Sequence, residues 1–472
     1  MSGAEKGQGG ARGGRLPARV DQAMQRLNTS VDVDRELWRE DIQGSKAHAR
    51  GLSRAGVITE EEAEQLVSGL DRVAQEIERG EMKWDPEKED VHMNVEARLI
   101  EICGPVGGKL HTDRSRNDQV ATDLRLWTRA RVREALDALD ALALAIVERA
   151  ESELETLMPA YTHLQRTQPS RLSHHLMAWE QMLWRDRGRL ADALERLNES
   201  PLGAGAVAGS GFPLDREGVA AELGFERPMQ NSIDATASRD FLMEVVAALA
   251  ILGVHLSRIG EELVIWSSQE FGFLTLSDAF STSSSMMPQK KNPDVGELVR
   301  GRAARMIGSA TTLLVLEKAL PFGYGRDLQE DKRPLFDAVD SALCSLGALT
   351  GAIATARFNS DRMRAALDGG HLCATDLADF LVQQGLPFRQ AHHVVGQLVR
   401  EAEQRGVQLG ELPADVLAAA HASLSGAALA SVLDPAQAVE RRDLPGGPAK
   451  RRVAEAIGEA RTRWRSQSQG RG

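Results

Sequence analysis

Several polar segments interrupt an otherwise helix-forming chain, and their residue types suit proton transfer to and from an anion. Residues 281–294 read Ser-Thr-Ser-Ser-Ser-Met-Met-Pro-Gln-Lys-Lys-Asn-Pro-Asp, just before a helix expected to start near Pro293. A flexible linker is the plain alternative. Two adjacent lysines and an amide suit an anionic intermediate better. A hydroxyl in such a loop becomes a base only where nearby cations and oriented N–H groups lower its pKa. Tyr161 to Pro169 sets His163 among hydroxyl and amide groups. A lone histidine is more often a hydrogen-bonded core residue, but imidazole titrates near neutrality and proton transfer is open to it here. His111 to Gln119 opens a long helix with two arginines, two hydroxyls and two amides. It reads equally as an N-cap box and as a carboxylate site built from helix-opening N–H groups and arginines.

Asn231 to Asp240 and Tyr324 to Lys332 each begin a helix. Each reads either as capping plus surface charge or as part of a site, and for Arg239 and Asp240 the first is preferred over catalysis. The Gly-rich stretch Gly203 to Gly209 lacks the strand and βαβ context of a dinucleotide fingerprint, so no cofactor is expected there. The surroundings of His48 and His92 show no HExxH and no paired carboxylates of metal spacing, so no metal is expected either.

These segments need long elements to position them. Between Val132 and Leu154 the apolar positions Val132, Leu136, Leu139, Ala143, Ile146 and Ala150 step by threes and fours, one stripe of a helix. Similar runs cover His174 to Leu197, Asp234 to Ser267, Pro293 to Glu317 and Gln329 to Ala356. The run from Asp234 predicts a helix about 50 Å long at ~1.5 Å per residue. Phe241 to Leu252 is apolar nearly all round, which a solvent-facing helix does not tolerate. It implies a bundle larger than one chain supplies, hence a homo-oligomer of closed symmetry such as two perpendicular two-folds.

The chain has 472 residues, 42% of them apolar and 26% charged, enough for several domains and ordinary for a globular protein. A net charge of −11 with no basic domain argues against a nucleic-acid surface and for a small-molecule partner. Cys103, Cys344 and Cys373 lack CxxC spacing, so neither disulfides nor zinc are indicated and a reducing cytoplasm fits. The first fifteen residues carry no apolar segment of the kind a secretory signal needs. The run Phe241 to Val254 is interrupted by Glu244 and shorter than the ~20 residues that span a bilayer, so no membrane insertion is expected. The expected layout is all-α: a disordered tail at 1–19, an N-terminal helical domain at 20–111, a central long-helix domain at 112–358, and a C-terminal helical domain with a basic tail at 359–472.

From about Val20 to Arg452 the chain resembles the argininosuccinate lyases of the fumarate-releasing superfamily, which also holds fumarase, aspartase, adenylosuccinate lyase and the delta-crystallins. The resemblance rests on Lys109 to Thr112 with Arg114 to Gln119, Tyr161 to Gln165, Ser267 to Phe273, Met287 to Asp294 and Asp327 to Lys332. It implies three mainly helical domains, a twenty-helix bundle built by four subunits, and active sites gathered from three of them. It implies reversible β-elimination of argininosuccinate to L-arginine and fumarate, in arginine biosynthesis, without metal or organic cofactor. His163 and Ser284 are then the proton-transferring pair, with Ser284 the favoured base and Glu297 orienting the histidine. Lys290 and Asn292 face the developing charge. Ser30, Asn117 and Thr162 hold substrate carboxylates and polar groups, Arg116 assists, and Tyr324, Gln329 and Lys332 contact the arginine end. Four departures stand out: Asp113 and Ser283 where the family carries glycine, Gly325 in place of asparagine, and Arg12 to Arg15 in place of Trp-Gly-Gly-Arg.

Overall fold

The computed structural model describes residues 20–424 and 426–469. It is 69% helical, so the all-α expectation holds, with four two-stranded ladders among the described residues. The tail at 1–19 and the departure at Arg12 to Arg15 lie outside the described residues.

Four of the five periodic runs are single helices: Arg116–Ser152, Leu172–Arg196, Asp294–Glu317 and Lys332–Thr355. The fifth is a correction. The run from Asp234 breaks into Ser232–Ala237 and Asp240–Ser267, because Ser238 takes an extended backbone at φ −69, ψ 139. At 28 residues the second piece is about 42 Å long. It is also longer than the apolar run suggested. Asp240–Ser267 and the stretch Arg326–Thr355 are long and apolar enough, by length and composition, to cross a membrane, with 56% and 50% of the respective windows buried inside the protein.

A second correction concerns residues 157–171. They form an antiparallel hairpin, Leu157–Thr162 paired with Gln165–Arg171, where the sequence showed no strand. Its two-residue turn is His163 and Leu164, at φ 54 and 56. Positive φ at both positions is the geometry whose twist matches a hairpin, and Asn-Gly usually supplies it.

Contacts divide the chain into two units, each assembled from three stretches: 1–134, 189–250 and 305–340; and 135–188, 251–304 and 341–472. In the first, Thr59 and Glu62 make a reciprocal capping box that starts Glu60–Glu78. Leu66, Leu70 and Val73 from that helix pack with Val95, Leu99 and Leu110. Each such side chain contributes about 1.5–3 kcal/mol on burial. In the second unit a separate core gathers Leu377, Leu381, Val395, Leu398 and Leu417. There Asp240–Ser267 and Asp294–Glu317 cross at two glycines. A Cβ on Gly296 would sit 2.6 Å from the Gly260 carbonyl oxygen, and one on Gly260 2.7 Å from the Gly296 oxygen. Only glycine permits that approach, and it sets the helix carrying Glu297.

Candidate active site

The first unit brings Ser30, Arg116 and Lys332 around two acids that the sequence reading passed over, Asp34 and Asp90. The Ser30 hydroxyl donates to Asp34 Oδ2, and the Val91 N–H donates to Asp34 Oδ1 at 2.9 Å. Burial pushes the Asp34 carboxyl up, opposed by His92 and, more weakly, by Lys332. Arg116 Nε lies 3.3 Å from Asp90 Oδ2. Arg326 donates to the Asn28 carbonyl at 3.2 Å and lies 3.5 Å from Glu89. The segments 28–34, 89–90, 116 and 326–332 therefore converge.

Within 111–119 the capping reading is realised. Ser115 Oγ accepts the Asn117 N–H at 3.2 Å, and Asp118 Oδ1 accepts the Ser115 N–H at 3.0 Å. Arg114 is buried and donates to Ser45, so it is not available to a ligand. The Gly-rich stretch wraps the far side of Asp118: the N–H groups of Gly203 and Gly205 donate to its Oδ2 at 3.0 and 2.9 Å. Both glycines take positive φ, 88 and 63. Burial still outweighs these donors and pushes Asp118 up to about 6. Asn117 donates to the Ala206 carbonyl at 3.1 Å, which ties this loop to a predicted substrate residue.

Lys332 is buried, not a surface cation. It donates to Asp331 Oδ1 at 3.0 Å, and Asp331 in turn accepts Arg239 Nε at 2.6 Å. Arg239, read from sequence as surface charge, is only 1% exposed. Tyr324 and Gln329 are half-buried.

Two departures find their geometry here. Asp113 sits at φ 58, the region for which glycine is the default residue, and its carboxylate accepts the Ser210 hydroxyl instead of an arginine. Gly325 is extended at φ −110, ψ 148, a conformation open to any residue.

Sequence spacing also gave no sign of a buried triad, Asp41, His92 and Asp123, whose ligand-type atoms all lie within 4.8 Å of one another. Its contacts favour a proton network over an ion. His92 Nδ1 lies 2.9 Å from Asp41 Oδ1, which also accepts Gln119 Nε2. Burial and the neighbouring Asp41 push the Asp123 carboxyl well up, and the buried Arg114 guanidinium supplies the positive charge. Nearby, burial and Arg114 hold the His48 imidazole down at about 3, while its Nε2 bonds the Thr112 carbonyl at 2.9 Å. A depressed histidine stabilises the fold above the unfolded pKa of about 6.5 and loses that contribution as pH falls toward 3. The slope is at most about 1.4 kcal/mol per pH unit. Glu40, pushed up to about 7 by burial, acts in the opposite sense. The check is therefore differential: between pH 6.5 and 4, unfolding free energy measured in urea should fall less steeply for His48→Gln than for the parent. Parallel slopes would refute the assignment.

In the second unit the hairpin presents Thr162 and His163 to solvent, and among the described residues no hydrogen bond or ion pair reaches the His163 ring. Strain is held where chemistry is expected, with His163 and Leu164 both at positive φ. Tyr161 anchors the hairpin against Phe271 and Phe273, at ring separations of 5.6 and 6.4 Å.

The loop 281–294 is closed at its base by a ladder, Thr282–Ser283 against Lys291–Asn292. Ser283 is thus extended, a conformation that does not require glycine. Ser284 Oγ accepts the N–H groups of Met286 and Met287 at 3.2 and 3.0 Å. Lys290 donates to Asn292 Oδ1 at 2.5 Å, while Lys291 is tied to Asp278 and the Leu276 carbonyl at 2.6 Å each. The two adjacent lysines therefore divide: one tethers the loop, the other is held only by an amide. Glu297 is half exposed, 3.9 Å from Arg300. Among the described residues no hydrogen bond joins His163 to Ser284, Lys290 or Glu297.

A family model described as "Lyase" matches residues 14–308, and a second, "Argininosuccinate lyase C-terminal", matches 371–440. A solved EDDS lyase variant with bound fumarate superposes with a TM-score of 0.84 at 30% identity, covering 94% of this chain and 89% of that one. A fumarate lyase from Mesorhizobium sp. BNC1, at 20% identity and a TM-score of 0.73 over 91% of this chain and 99% of that one, shares the fold. Argininosuccinate lyases from Roseiflexus sp. and Thermus thermophilus are 52% and 51% identical, each over 95% of this chain and over 98% and 97% of their own lengths. The chain belongs to the argininosuccinate lyase family.

Proposed function

We propose that the chain catalyses the reversible β-elimination of argininosuccinate to L-arginine and fumarate, a step of arginine biosynthesis, in the cytoplasm and as a homotetramer with active sites shared between three subunits. Ser284 takes the proton from the succinyl carbon beside a carboxylate. The electron pair moves into that carboxylate to give a doubly charged aci-carboxylate, and its return forms the carbon–carbon double bond and expels the guanidino nitrogen. His163 protonates that nitrogen, oriented by Glu297. Lys290 and Asn292 stabilise the aci-carboxylate. Ser30, Asn117 and Thr162, with Arg116, hold the substrate, and Tyr324, Gln329 and Lys332 face its arginine end. None of these roles calls for a metal or organic cofactor.

The observation that carries this reading is the pair of backbone N–H groups donating to Ser284 Oγ, in the loop that also holds Lys290. Two donors on that oxygen favour the alkoxide, which is what a serine needs to act as a base. Assembly is supported by apolar residues left exposed on the long helices, among them Leu298 at 66%, Leu314 at 56% and Ile307 at 45%. It would also give the isolated His163 its partners. The separate apolar cores around Leu66 and Leu398 support the three-domain layout of 20–111, 112–358 and 359–472. An inactive, crystallin-like protein is disfavoured because His163, Ser284, Lys290 and Asn292 are all present.

The deciding experiment incubates the protein with argininosuccinate, adenylosuccinate or malate and follows fumarate by ultraviolet absorbance. Fumarate from argininosuccinate alone is expected. Fumarate from adenylosuccinate alone would replace this reading.

A further inference from the structure

Asp294 opens the helix Asp294–Glu317 directly after the loop that holds Ser284. Its Oδ2 accepts both the Thr282 N–H, at 3.1 Å, and the Thr282 hydroxyl. An ionised carboxylate only accepts, so the single hydroxyl proton of Thr282 is committed to Asp294 and its oxygen can only accept from elsewhere. The Asn292 side-chain atom 3.3 Å from that oxygen must then be the amide nitrogen. This turns Asn292 Oδ1 toward Lys290, whose ammonium donates to it at 2.5 Å. Ammonium has three donors and no acceptor, so a pure acceptor at one end and a pure donor at the other demand the same amide orientation.

We propose that Asp294 and Thr282 are positioning residues that, through the amide of Asn292, hold the Lys290 ammonium for the substrate anion. The inference rests on the proposed assignment of Lys290 and Asn292 to that anion. Neither Asp294 nor Thr282 touches the reacting atoms. Lys290 is also tied to the base, because its carbonyl accepts the Ser284 N–H at 3.3 Å. Without the Thr282 hydroxyl the Asn292 amide is free to rotate and present N–H groups to an ammonium that needs an acceptor. The ladder at the base of the loop, and the Lys291 tether to Asp278, do not depend on that hydroxyl.

The test is Thr282→Val, which keeps the branched shape and the backbone N–H but removes the hydroxyl. Turnover number should fall on the order of 10–100-fold, with a much smaller change in KM, because the charge Lys290 meets is greatest at the aci-carboxylate. Thr282→Ser should restore kcat to within about threefold, since the hydroxyl returns. Asp294→Ala should lose activity similarly, and the Thr282→Val/Asp294→Ala double variant should be no worse than the poorer single, the mark of one shared relay. A merely structural role predicts matching losses of melting temperature and additive effects instead. Wild-type kcat in a folded Thr282→Val protein, or full additivity, would overturn the relay. Lys290→Met separates the two levels. If it turns over normally the anion assignment fails, and if it is dead while Thr282→Val is fully active only the relay fails.

Discussion

Ser284→Ala is expected to lower kcat by about 10²–10⁴-fold, the range of a positioned general base, while leaving assembly and melting temperature unchanged. Assembly and stability should hold because Ser284 lies in a loop whose base is pinned by Thr282, Asn292 and Lys291 independently of its own side chain. What the substitution removes is the oxygen on which the Met286 and Met287 N–H groups converge. His163→Asn should produce a loss of the same order, since the ring is exposed at a hairpin tip and contributes no packing. Steady-state fumarate release with argininosuccinate, alongside light scattering for oligomeric state, checks both. Activity within about tenfold of the parent in either variant would remove that residue from the proton-transfer pair.

Helical content was legible because amphipathic periodicity is a local property: the stripe Val132 to Ala150 declares itself within a few turns. The hairpin at 157–171 was not. Its strands contain Pro159 and Pro169, the register shifts between Pro159 and Tyr161, and its turn uses His163 and Leu164 where Asn-Gly is the readable signal. The break before Arg239 was missed for a different reason. Arg239 stands between the two helices and pairs with Asp331, 92 positions away, and no local pattern reports that. The candidate site divides along the same line. The loop 281–294 and the His163 segment stood out as polar interruptions of apolar helices. Asp34, Asp90 and the Asp41, His92, Asp123 cluster did not, since each is a single acid or imidazole in an unremarkable stretch that becomes meaningful only when distant segments meet.

Asp331→Ala is expected to cost about 3–5 kcal/mol of stability, the penalty for stripping one member from a buried ion pair. Asp331 is fully buried and Arg239 nearly so, at 0% and 1% exposed. Arg239 Nε donates to Asp331 at 2.6 Å, its Nη1 donates to the Ser238 carbonyl at 2.9 Å, and its Nη2 already lacks a partner. Burial pushes the carboxyl of the nearby Glu317 up, opposed by Arg239. A guanidinium that is always charged would then stay in the interior with carbonyl dipoles as its only hydrogen-bond partners. Lys332 would lose its 3.0 Å acceptor as well, so weaker substrate binding should accompany the instability. Replacing both partners, as Arg239→Met with Asp331→Leu, should recover most of the stability, since two apolar side chains leave no uncompensated charge. It should not recover substrate affinity, because Lys332 still lacks its acid. Urea denaturation at one fixed protein concentration measures the first effect and KM the second. A single variant less than about 1 kcal/mol weaker than the parent would mean that water reaches Arg239 and that the pair is not the buried pin described here.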